Sequence, residues 1–151
     1  MDAVPVLIEA ILDKVDAIRE VYHQKTCALA LAHFVGAPSE LRPEHLARFL
    51  QRILDFCNAT LTELHSDRAA STIPVFTAAD FPADANAWTE GHRVQRMIAQ
   101  DGVAAADLKA VVVQKMQECA AQLGQAQFAQ VLATVEPFVL EQLQNAPSQQ
   151  R

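Results

Sequence analysis

Glu9, Asp13, Asp16 and Glu20 stand at i, i+4, i+7 and i+11, a spacing that lines four carboxylates along one side of a helix. Such a ladder could hold a divalent cation through hard oxygen ligands. On an ideal helix the stripe lies about 140° from the apolar seam of the same segment, and Lys14 and Arg19 interrupt it. The expectation is therefore a solvated face.

Glu20 and His23 add one Glu-x-x-His, the half-motif of a di-iron bundle. The second half is missing, because Ala30, Arg42, Thr62 and Thr89 stand three residues before the other four histidines. No metal site is expected. Covalent haem is excluded by the lack of Cys-x-x-Cys-His, which leaves His33 and His92 as candidate axial ligands.

The densest group of functional side chains is Trp88, Glu90, His92, Arg93 and Arg96. Trp88, His92 and Arg96 share a helix face, whereas Glu90 and His92 diverge by about 200° and cannot work as a base pair. A small-molecule pocket, if one is built, belongs here, with Phe76 and Phe81 of the preceding segment closing over Trp88, His92 and Arg96. Nucleophile elbows and phosphate-cradling loops are absent, with only four glycines in the chain.

Twelve of the fourteen glutamines follow Glu90, and Gln127, Gln130, Thr134, Glu141 and Gln144 line one face of the last helix. Amides lose less on desolvation than charges and still hydrogen-bond, which suits contact with another helix. This face is the expected interface, for a partner protein or for a homodimer.

The elements that position these residues follow from period and punctuation. Val4, Ile8, Ile11, Val15, Ile18 and Tyr22 form an apolar seam, so one long helix is expected from Pro5 to Phe34, ended by Gly36-Ala37-Pro38. Glycine there is expected to take the left-handed cap conformation. A short connection returns the chain into a second helix from Pro43 to His65, with a seam of Leu46, Phe49, Leu50, Ile53, Cys57, Leu61 and Leu64. The basic stripe of His45, Arg48 and Arg52 is interrupted by Glu44 and Asp55 and reads as solvated.

Ser66 to Ala83 carries Pro74 and Pro82 together with Ile73, Val75, Phe76 and Phe81. It is expected to be a long apolar crossover docked on the bundle. A third helix follows from Asp84 to Gln100, and a fourth runs from after Asp101-Gly102 to Leu123. A fifth spans Gln125 to Leu143 through Phe128, Leu132, Val135 and Val139, and Pro137 should kink or restart it. Neither an internal repeat nor a period-two strand pattern is visible.

The expected architecture is all-α, a single-domain antiparallel bundle of about five helices over residues 1–144 with a polar frayed tail at 145–151. A net charge of −6 disfavours nucleic acid and anionic membrane, and no apolar run is long enough for a span. The N-terminus lacks a signal-peptide pattern, and three scattered cysteines fit a reducing compartment, so a cytoplasmic protein is expected. The residues favour a non-enzymatic helical interaction module, an adaptor, regulator or chaperone, without cofactor. The alternative is a helical sensory domain whose pocket, between Trp88 and the 73–82 loop, takes a small molecule such as haem.

Overall fold

The fold rests on a computed structural model that describes residues 3–66 and 100–147. In chain order the described elements are α1 (Ala3–Leu12), a 3-10 turn (Val15–Ala17), α2 (Val21–Val35), α3 (Pro43–Leu64), α4 (Gly102–Ala105), α5 (Leu108–Leu123), α6 (Gln125–Leu132) and α7 (Pro137–Asn145). No strand occurs among the described residues, and the all-α class stands. The expected crossover and third helix lie outside them.

α3 is the hub. It packs against α1, α2, α5, α6 and α7. Its expected seam is buried from Leu46 to Leu61, and Leu54, Asn58 and Thr60 are buried as well, so it is covered on more than one side. Pro43 enters at the first turn, where a missing N–H costs nothing.

The expected single N-terminal helix is two helices, because α1 and α2 travel in opposite directions along α3. Glu9 pairs with Arg48 and Asp13 with Arg52, equal steps of four that make α1 parallel to α3. The short turn after Val35 makes α2 antiparallel to α3, and the Cys57 thiol faces the Ala28 carbonyl across the pair. No straight helix can do both. The chain reverses between Leu12 and Val21, where Ile18 and Glu20 are extended and Gln24 Nε2 donates to the Ile18 carbonyl at 2.8 Å. The seam survives the break, with Ile8 and Val15 buried and Val4, Ile11, Ile18 and Tyr22 half-buried.

Two of the four ladder carboxylates are thus ion-paired with the basic stripe rather than simply solvated. These pairs are 42–60% exposed and are worth only ~0.2–1 kcal/mol each. They set direction more than stability.

α5 lies beside α2 and runs parallel to it. Tyr22 Oη donates to Asp101 Oδ2 at 2.7 Å and Lys25 Nζ to the Ala104 carbonyl at 3.3 Å, whereas Gln122 Nε2 reaches the Gly36 carbonyl at the other end. Gly36 is right-handed (φ −75°), not left-handed as expected. Its glycine answers a close approach: a Cβ there would meet Lys115 Cδ at 2.6 Å and Glu118 Oε2 at 3.1 Å. Gly124 is the residue that needs positive φ, at +85°, ending α5 and starting α6 in one step. With ψ at 154° it occupies a region open essentially to glycine alone, so Gly124→Ala should cost ~1–3 kcal/mol in urea denaturation.

Pro137 restarts the last helix rather than kinking it. α6 ends at Leu132 and α7 begins at Pro137, so the expected fifth helix is two. α7 runs along α3 in the same direction, tied by Glu136 N–H to Gln51 Oε1 and by Asn58 Nδ2 to the Val139 carbonyl. The bundle is therefore mixed in direction: α2 and α5 run opposite to α3, and α1 and α7 run with it.

The core holds Ile8, Leu31, Leu41, Leu46, Phe49, Leu50, Ile53, Leu54, Leu61 and Leu108, all closed to solvent. Cys57 and Cys119 are buried and Cys27 half-buried, all as free thiols, and burial pushes the Cys57 thiol up to about 12. Thr60 is 1% exposed and its hydroxyl has no hydrogen-bond partner. An orphaned buried hydroxyl costs ~1–3 kcal/mol, so Thr60→Val should raise stability by ~1–2 kcal/mol in the same denaturation assay.

Candidate protein-binding groove

α7 lies against α3 only part of the way along, because α6 and the turn at 133–136 hold its start away from α3's first turns. Thr134 Oγ1 reaches the Ala47 carbonyl at 3.1 Å and fixes that turn. Beyond it the two helices leave a groove of about 460 Å³ between Asp55, Asn58, Ala59 and Thr62 of α3 and Phe138, Glu141, Gln142 and Asn145 of α7. Ala146 and Pro147 close its far end. Lys109 sits behind that end, its Nζ donating to the Gln144 and Ala146 carbonyls and tying α7 to α5.

The groove's chemistry is acceptor-rich. Asp55 and Glu141 bring carboxylates from opposite walls. Burial and the nearby Glu136 carboxylate raise the Asp55 pKa above the usual carboxylate value. Asn58 is 8% exposed; its Nδ2 is used by the Val139 carbonyl at 3.0 Å and its Oδ1 has no partner. Phe138, by contrast, is 63% exposed at the rim. An aromatic ring left in water beside a groove is the part of an anchor site that a partner would cover.

The expected interface residues are split by the restart at Pro137. Gln127 and Gln130 are exposed on α6, and Thr134 is spent on the Ala47 and Val131 carbonyls. Glu141 lines the groove, and the exposed Gln144 gives its carbonyl to Lys109. They are thus carried by two helices and the turn between them. Phe76, Phe81, Trp88, His92 and Arg96 lie outside the described residues. Asn58 and Phe138 were missed. The signal for Asn58 was a lone amide at i+4 from Leu54 and three before Leu61, within an apolar helix face.

Two other polar clusters lie outside the groove. His23 pairs with Glu20 at 3.0 Å, both well exposed, and among the described residues no three His, Cys, Asp or Glu side chains gather to hold a metal. Asp101 caps α4 by accepting from Val103 and Ala104 N–H, and the Tyr22 hydroxyl holds its carboxyl below the usual range. Lys25 is buried against the same corner, its ammonium disfavoured by desolvation. Among the described residues no helix is long and apolar enough to cross a membrane.

A family model for importin-11-like TPR repeats matches residues 2–148. No curated protein and no solved structure matches the chain. TPR units are helix–turn–helix pairs that stack and mediate binding of protein partners. Here the α2–α3 pair occupies Val21–Leu64, longer than the ~34 residues of a standard TPR unit. Its helices have 15 and 22 residues, against the 16 and 8 of α5 and α6. The match covers nearly the whole chain, the described elements are helices joined by tight turns, and the chain belongs to the importin-11-like TPR-repeat family, a helical protein–protein interaction module.

Proposed function

We propose that the chain is a non-enzymatic adaptor, regulator or chaperone-like module that binds a partner protein, or a second copy of itself, through the outer faces of α6 and α7. The observation that carries this reading is Phe138, which the fold leaves 63% exposed beside an open groove. A large aromatic is costly to leave in water and is a common hot-spot residue at interfaces. The exposed amides of Gln127 and Gln130 on the adjoining helix add a surface that is cheap to desolvate.

Sedimentation velocity with affinity capture tests the reading. Wild-type protein should dimerise or retain a specific protein, and Phe138→Ala should weaken that contact about tenfold or more, as truncation of an interface anchor does. Gln127→Glu with Gln130→Glu should weaken a self-association across a two-fold axis by setting like charges together. A concentration-independent monomer that retains no protein would sink the proposal.

A further inference from the structure

Among the described residues, the lining of the α3–α7 groove carries two carboxylates, the amides of Asn58, Gln142 and Asn145, and no cation. Asp55 and Glu141 face it from opposite helices, and Asn58, more than nine-tenths buried, leaves its Oδ1 without a partner while its Nδ2 is held by the Val139 carbonyl. Phe138 supplies an apolar and π surface at the mouth, suited to an alkyl stem that ends in a cation. Lys109, behind the far end, is bonded to two backbone carbonyls and is not among the groove's lining residues.

We propose that this groove binds a lysine or arginine side chain from an extended segment of a partner protein. The stem lies on Phe138 and the cation sits between the Asp55 and Glu141 carboxylates. Charge complementarity selects this occupant. An acidic segment or a nucleic acid would meet like charge, and a purely apolar one would leave both carboxylates desolvated. The inference deepens the protein-binding reading and rests on it.

The test is a heteronuclear NMR titration of the full chain with acetyl-Gly-Lys-Leu-Lys-Gly-amide. The controls are the same peptide with norleucine in place of both lysines, the same peptide with glutamate there, and calcium chloride alone. The lysine peptide should shift the signals of Asp55, Asn58, Phe138 and Glu141, and the norleucine peptide should bind about tenfold more weakly, the loss expected on removing one member of a charge pair. Asp55→Asn with Glu141→Gln should reproduce that loss. Both residues are exposed, so the variant should keep the wild-type spectrum elsewhere.

Several outcomes overturn the assignment: equal binding of the norleucine or glutamate peptide, the same shifts with calcium alone, shifts confined to another face, or a dimer interface that covers the groove. A lysine peptide that leaves the groove unmoved removes this site only. The protein-binding reading falls separately, on a monomer that retains no protein in the sedimentation and capture experiment.

Discussion

Phe49→Ala is expected to lower the free energy of unfolding by ~3–5 kcal/mol, the range for a buried phenylalanine cut to a methyl. Among the described residues Phe49 is the largest side chain closed to solvent, 1% exposed, and it sits on α3, which packs against α1, α2, α5, α6 and α7. A cavity there would open in the main core cluster, on the helix that the other long elements pack against. The Arg48 guanidinium lies 5.1 Å from the ring centroid, and its cation–π contact goes as well. Native domains hold only ~5–15 kcal/mol in total, so much of the variant should be unfolded at modest urea. Equilibrium urea denaturation followed by far-UV circular dichroism measures it. A loss below ~1 kcal/mol would show that α3 is not the hub.

The second large effect lies on α1. Ile8→Ala should cost ~2–5 kcal/mol, as truncation of a fully buried isoleucine does. The side chain is 0% exposed and belongs to the main core, whereas Ile11 and Ile18 on the same seam are half-buried and should lose less when cut to alanine. Asp13→Asn with Asp16→Asn should change stability by less than ~1 kcal/mol, because the Asp13–Arg52 pair is solvent-screened and Asp16 is exposed. Parallel denaturation curves for the variants decide between burial and charge as the force that docks α1. If the double carboxamide variant fell further than Ile8→Ala, the ion pairs and not the seam would be holding the helix.

These contrasts show which features were legible in the residues. The apolar period located the helical segments, and Gly and Pro marked most ends: α3 starts at Pro43, α5 ends at Gly124, and α7 restarts at Pro137. Such signals are local. A 3.6-residue period says which residues share a face, and a missing N–H or a positive φ says where a helix must stop or can start, whatever packs against it.

The reversal between Leu12 and Val21 carries no such signal. It exists because α1 and α2 bury their apolar seams in opposite directions on α3, the direction of α1 being marked by the Glu9–Arg48 and Asp13–Arg52 pairs, each 39 positions apart. Matching steps of four in the acids and the arginines were visible, yet only docking makes them partners. Gly36 looked like a left-handed cap, and the tertiary structure shows that its missing Cβ makes room for Lys115.

The groove is likewise a product of assembly. Asp55 and Asn58 on α3 meet Phe138 and Glu141 on α7 across more than seventy intervening positions, and the restart at Pro137 decides that the last helix presents Glu141 to that groove while Gln127 and Gln130 remain on α6. The residues alone determined an all-helical chain with amphipathic elements and their caps. Which faces meet, which polar atoms are left without partners, and which aromatic stays in water were decided by packing between distant segments, because burial and pairing are properties of the assembled surface.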